Sequence, residues 1–251
     1  MKSIYLYNKK QGENTSQCIK RLRNDFPELI NQKVGHLGTL DPMAAGLMVF
    51  LAGSATKDFL KLQKLHKIYN SIFLLGLKTD SYDLLGLPEI TDIQKSFALT
   101  DKNIEAALKK FTGKIEQTPP VFSSIIIKGH PLFWWYKNNK KIEIKSRFRE
   151  VFNINIKNIY LLDIAKLKKH IAKIDNVEGD FRQVEILNEW AKLVSQVEKS
   201  GVEKLKVIDL NIECSSGTYV RTIANDLGKV LECGAFALEI NRTQIGEYNL
   251  T

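Results

Sequence analysis

The stretch KLKVIDLNIEC, residues 204–214, alternates with a period of two and places Ile208, Leu210, Ile212 and Cys214 on one side. That periodicity belongs to a β-strand with one covered face, so the chain must build a sheet that something packs against. EVFNINIKNIY (150–160) and KIYNSIFLLGL (67–77) alternate in the same way, and SIYLY (3–7) is a further short strand. GLMVFLAG (46–53) is apolar throughout and bounded by glycines, as a buried strand is. Helical patterns lie between these. Thr15 or Ser16 is expected to cap a helix with Cys18, Ile19, Leu22 and Phe26 on its apolar side. Ser54 is expected to cap SATKDFLKLQKLH (54–66), which exposes Lys57, Lys61 and Lys64. TDKNIEAALKKF (100–111) starts on a Thr/Asp cap and aligns Ile104, Ala107, Leu108 and Phe111. After the turn SSGT, residues 219–231 form a helix burying Val220, Ile223, Ala224, Leu227 and Leu231.

Strands and helices that alternate irregularly, with hairpin-like connections, imply an α+β fold. The expected architecture is a mixed, mostly antiparallel sheet flanked by helices. At 251 residues, without repeats or long linkers, the chain is expected to be one domain, 1–251. Residues 163–203 stand apart as a charged, partly helical segment between two strands, expected to be an insertion packed on the domain edge. No apolar run approaches the ~20 residues of a membrane span, and the N-terminus lacks signal-peptide anatomy. Cys18, Cys214 and Cys233 are odd in number and scattered, which points to free thiols in a reducing compartment, the cytoplasm. The four histidines, His36, His66, His130 and His170, show no metal-ligand spacing. Lys and Arg total 37 against 28 Asp and Glu, a net charge of +9. An excess of that size favours a polyanionic partner, most often nucleic acid.

GHLGTLDPMAAG, residues 35–46, holds a single carboxylate, Asp41, before Pro42. An Asp-Pro pair suits the cap and first turn of a helix, and a lone acid in such a stretch also suits catalysis. Three further blocks accompany it: KIYNSIFLLGLKTDSYDLLG with Tyr69, FTGKIEQTPPVFSS, and CSSGTYVRTIANDLG with Arg221 in the first turn of a helix. Together these blocks resemble the TruB-type tRNA pseudouridine synthases, whose signature GHxGTLDPxAxGxLxxxxGxATK is similar to residues 35–57. The four blocks are collinear with that family and cover most of the chain outside 163–203.

The resemblance implies a pseudouridine-synthase fold with a catalytic cleft across the sheet. It implies isomerisation of uridine to pseudouridine at position 55, in the T-loop of tRNA, with the base flipped out and with neither metal nor cofactor. Asp41 matches the catalytic aspartate, Tyr69 the tyrosine that stacks on the target base, and Arg221 the arginine that pairs with the aspartate. His36 falls where the family histidine meets the substrate loop, and an imidazole there can fill the space a flipped base vacates. Lys67, Tyr219 and Ile240 fall at substrate-contact positions. The lysines at 57, 61, 64 and 67, with Lys137, Lys140, Lys141, Lys145, Arg147 and Arg149, are expected to form a phosphate-binding face, Lys67 foremost. Three departures from the family pattern stand out. DKPxGxTS reads NKKQGENTS, the lysine of YSAxK is Ile126, and LRRT reads INRT with Asn241 at an expected basic position. With Thr251 as its last residue, the chain is expected to lack the small RNA-binding PUA domain that many members carry. The expected partner is the tRNA T-arm, bound by a monomer with no membrane association. The alternatives are an RNA-binding protein that helps tRNA fold, or a synthase acting on another RNA.

Overall fold

The computed structural model describes residues 2–250; Met1 and Thr251, the ends of the expected 1–251 domain, lie outside them. The chain opens with β1 (Lys2–Lys9), α1 (Thr15–Asp25), β2 (Val34–His36), β3 (Ala45–Gly53), α2 (Phe59–Leu62) and β4 (Lys67–Leu75). A short pair, β5 (Leu77–Thr79) and β6 (Pro88–Ile90), leads into α3 (Ile93–Ala98), α4 (Asp101–Leu108) and β7 (Gly113–Gln117). A small hairpin, β8 (Ile126–Ile127) and β9 (His130–Pro131), precedes α5 (Leu132–Lys137) and the long β10 (Arg147–Asp163). Then come α6 (Ile164–Ala172), α7 (Gln183–Lys199), β11 (Lys204–Cys214), α8 (Val220–Val230), β12 (Ala235–Ile245) and β13 (Tyr248–Asn249).

Nine strands form one sheet in the order β1-β3-β12-β4-β11-β10-β7, with β2 beside β3 and β13 beside β12. Neighbours run antiparallel except β3 and β12, which meet in parallel at Asn241–Ala45 and Arg242–Gly46. At that junction a Cβ on Gly46 would stand 2.3 Å from the Arg242 carbonyl oxygen, and the φ of +104° suits glycine alone. The alternation read from the sequence becomes a division between two faces. Phe73 of β4 and Ile208, Leu210 and Ile212 of β11 join one core beneath α1, α4 and α8. Leu74 of β4, with Leu205 and Val207 of β11, points the other way, into a second core. β3 is buried on both sides, with Met48 and Phe50 in the first core and Leu47, Val49 and Leu51 in a third, against Phe59 and Leu62. The three cysteines are free and buried. Among the described residues, no helix is long and apolar enough to cross a membrane.

Several sequence expectations need correction. α1 is capped by Asn14, not by Thr15 or Ser16, through a capping box in which the side chains of Asn14 and Gln17 each accept from the other's backbone N–H. Residues 54–66 form no continuous helix: a 3₁₀ turn over Ser54–Asp58 and the single turn of α2 follow Gly53, with no side-chain cap from Ser54. Asp41 caps no helix. It opens a turn in which the Ala44 N–H donates to the Asp41 carbonyl at 3.0 Å, with Pro42 second in the turn. Residues 163–203 are no edge decoration. Their helices α6 and α7 build the second core, where Trp190 is fully buried, its ring 5.6 Å from that of Phe236 and its N–H donating to the Leu84 carbonyl at 3.2 Å. Sequence alone missed this because the apolar stripe of α7 is diluted by charges that all face water.

Arg242 of β12 is 1% exposed. Its guanidinium donates to the carbonyls of Leu47 at 2.8 Å, Gly38 at 3.0 Å and Thr39 at 3.3 Å. It thus ties the glycine-rich stretch before Asp41 to the sheet. Arg242→Ala strands the buried Leu47 carbonyl and the part-buried carbonyls of Gly38 and Thr39, at about 1–3 kcal/mol each. Urea unfolding should show a loss of ~3 kcal/mol or more. A variant within 1 kcal/mol of wild type, on the order of a single hydrogen bond, would contradict this anchoring.

Candidate active site

Asp41 sits on a ridge between two cavities, both of which it lines. The smaller, of about 180 Å³, is walled by Tyr69, Tyr219, Ile240, Lys67 and Arg242 together with the backbone of Gly38 and Thr39. The larger, of about 340 Å³, is bounded by Asp83, Arg221, Phe122, Phe133, Phe181 and Arg182.

The sheet and α8 place these groups. Tyr69 lies on β4 directly between Ile212 of β11 and Arg242 of β12, and Ile240 stands opposite Ser71 two residues along. Tyr219 ends the turn before α8, where its N–H and carbonyl exchange hydrogen bonds of 3.0 and 3.2 Å with the Gln117 side chain. One residue into α8, Arg221 is 2% exposed. Its Nη2 donates to Asp41 Oδ1 at 3.0 Å, and its Nε lies 2.9 Å from Oδ2, an ion-pair contact with the N–H off line. One N–H on Nη1 donates to the Ser81 carbonyl at 2.9 Å and the second on Nη2 to the Phe122 carbonyl at 2.8 Å. A rigid fork that also rests on two backbone carbonyls fixes the carboxylate it holds. Asp41 is still one-third exposed, at 33%, so the held carboxylate remains open to the cleft.

A second acid stands behind this pair. Asp83 is buried and accepts from Ser81 Oγ at 2.7 Å and the Leu85 N–H at 3.0 Å. Burial pushes its carboxyl up to about 6, against the pull of Arg221 and those two hydrogen bonds. For Arg221 itself burial works against the charge, but Asp41 and Asp83 outweigh it and hold the guanidinium protonated more firmly than usual. Burial also raises the Tyr69 phenol, keeping it neutral. From below, Lys9 donates to the carbonyls of Pro42, at 3.0 Å, and Ala44, clamping the turn that carries Asp41. Its own burial lowers it to about 8.

Asp41 and Arg221, 180 positions apart in sequence, are thus in contact, with Tyr69, Tyr219 and Ile240 in the adjoining cavity wall. Lys67 is elsewhere than expected. It is 3% exposed, and its ammonium is spent on the carbonyls of Gln63 (2.9 Å) and Leu65 (2.6 Å) and on Ser216 Oγ (2.9 Å). It lines the smaller cavity and offers nothing to a phosphate-binding face. His36 ends β2 and lines neither cavity, and burial together with the Arg242 charge lowers its titration. Lys57, Lys61, Lys64, Lys141, Lys145 and Arg147 are exposed. Lys137 pairs with Asp180, Lys140 lies over the Trp134 ring, and Arg149 donates to the Gly217 carbonyl at 2.8 Å. Sequence reasoning missed Asp83, Lys9 and Arg182. The first two lie inside quoted blocks, but nothing in a string of residues says that a turn aspartate or an N-terminal lysine becomes buried.

A family model described as the N-terminal domain of TruB family pseudouridylate synthases matches residues 28–173. A curated relative named tRNA pseudouridine synthase B, from Chloroherpeton thalassium, is 31% identical over 248 residues, covering 98% of this chain and 84% of the relative. Another of that name, from Nostoc sp., is 32% identical over 251 residues, covering 100% of this chain and 70% of the relative. Among solved structures, a chain in the crystal structure of a Cbf5–Nop10–Gar1 complex aligns with a TM-score of 0.60 at 18% identity, covering 99% of this chain. A chain from an H/ACA RNP bound to a substrate RNA containing 2′-deoxyuridine aligns with a TM-score of 0.55 at 16% identity, also over 99% of this chain. The chain spans about half the length of those two solved chains, 50% and 49%, and the likeness to them is one of fold.

Proposed function

The chain belongs to the TruB family of pseudouridylate synthases, and from that premise we propose that it isomerises uridine to pseudouridine in tRNA, at position 55 of the T-loop, with Asp41 as the reacting carboxylate. The observation that carries this function is the Asp41–Arg221 contact at the mouth of a cavity walled by Tyr69 and Ile240. The reaction breaks the C1′–N1 bond, turns the uracil and joins C1′ to C5. The base loses the C5 hydrogen and gains one on N1, so no redox partner enters the balance.

Each residue has a task that suits its setting. The smaller cavity, lined by Tyr69 and Ile240, takes the flipped uracil. Arg221 keeps the Asp41 carboxylate ionised and aimed, so that it meets the sugar or the base as an anion. The Tyr69 hydroxyl, kept neutral by burial, is available to the proton transfers. Tyr219 closes the cavity beside α8, and exposed lysines such as Lys57, Lys61 and Lys64 take backbone phosphates of the T-arm.

Pseudouridine mapping of total RNA tests activity and target together. Cells lacking this gene product should lose the modification at tRNA position 55 and regain it on complementation. Loss at another RNA, with position 55 intact, would reassign the substrate.

A further inference from the structure

Besides Asp41, the Arg221 guanidinium rests on two backbone carbonyls, Ser81 and Phe122. One side chain from the 163–203 segment braces both. Arg182 Nη2 meets Asp80 Oδ2 at 3.0 Å, next in sequence to Ser81, and its guanidinium carbon lies 4.4 Å from the centre of the Phe122 ring. We propose that Arg182 is a positioning residue for the isomerisation: it locks the turn of residues 80–83 and Phe122 in register, and through their carbonyls it sets Arg221 and the carboxylate of Asp41. The proposal rests on Asp41 and Arg221 being the reacting pair.

Four further features show that this contact is built. Arg182 has a left-handed backbone, φ +63°, uncommon for a residue with a side chain. It also occupies the position before α7, where it makes no capping hydrogen bond and where Ser, Thr, Asp or Asn would stabilise the helix. Residue choice here runs against local stability, which marks a position held for another purpose. The loop that presents it is fastened from both sides. The Gln183 amide donates to the carbonyls of Val177 at 2.7 Å and Gly179 at 2.6 Å, while Lys137 of α5 pairs with Asp180 at 2.7 Å. The far end of the brace is fixed as well, since Asp80 Oδ1 accepts from the Leu87 N–H at 2.8 Å. Residues 163–203 therefore reach the reacting pair through one ion pair and one ring contact. A displacement on the order of 1 Å at such a pair costs up to ~10²-fold in rate.

Arg182→Asn separates this role from mere folding, because asparagine tolerates the left-handed backbone and caps helices well. The melting temperature should hold or rise. Single-turnover kcat on a T-arm stem-loop should fall ~10- to 100-fold, while affinity for that RNA stays near wild type. Arg182→Lys, which restores the ion pair to Asp80 without the planar contact on Phe122, should recover part of the rate. In the RNA-free protein, carboxyl NMR should show the Asp83 midpoint moved up from about 6, as the Arg221 charge that holds it down loosens. An unchanged kcat overturns the proposal, as does weakened RNA affinity at unchanged kcat, which would make Arg182 an RNA contact. Wild-type protein inactive on the stem-loop refutes the proposed activity instead. The Asp83 titration then judges the brace alone, and an unmoved midpoint overturns it.

Discussion

Asp41→Asn is expected to abolish pseudouridine formation on a T-arm stem-loop, a loss of at least ~10⁴-fold in single-turnover rate, while the RNA still binds. The substitution keeps the shape of the side chain and an oxygen to accept from Arg221 Nη2. It removes the negative charge and with it the capacity to bond to carbon or to stabilise a cationic sugar. Affinity is spared because the exposed lysines proposed to take phosphates stand on other elements and Asp83 still offsets the Arg221 charge. Nucleoside analysis by mass spectrometry measures the first quantity and filter binding the second. A variant that turns over near the wild-type rate removes Asp41 from the chemistry. One that neither reacts nor binds moves its role to RNA docking.

How far the sequence foretold this site depended on which physical scale each feature lives on. Strand and helix positions follow from local periodicity. β11 occupies the same residues, 204–214, that alternate in the sequence, and the buried stripe of α8 carries the residues read from it. Asp41, Tyr69 and Arg221 were legible as a set only through motifs collinear along the chain. Spacing alone gives no reason why residues 180 positions apart should lie 3.0 Å apart. What escaped were consequences of burial. Lys67 sits at the start of an alternating strand, so charge and position suggest a surface cation, yet the pairing of β4 with β11 and β12 closes over it. Asp83 lies in an acidic, turn-rich stretch that resembles a solvated loop until Leu85 and Arg221 enclose it. The 163–203 segment misled for the opposite reason. Its charges are numerous, and only the tertiary contact of Trp190 with Phe236 shows that its apolar residues complete a core.

Arg221→Met is expected to lower kcat by ~10²–10³-fold and to destabilise the fold by about 3–5 kcal/mol at neutral pH, the range for removing one partner of a buried ion pair. Methionine fills similar volume, so the loss is electrostatic. Asp41 loses its clamp, the carbonyls of Ser81 and Phe122 lose their donors, and Asp83 is left as a buried acid without a counter-charge. The sign of the pH dependence follows from Asp83. In the wild type its carboxyl is raised to about 6, from an ordinary value of 3.8. A carboxyl raised by folding favours the native state most when protonated in both states, and that contribution fades as pH climbs through the folded value. Without Arg221 the folded value rises further, so in the variant the fading continues above pH 6, where the wild-type contribution has already levelled off. Stability of the variant relative to wild type should therefore worsen from about pH 6 to 8, read as diverging urea midpoints. Midpoints that stay parallel across that interval would show that Asp83 does not feel Arg221. A variant that regains stability toward higher pH would reverse the sign and assign the buried charge to another group.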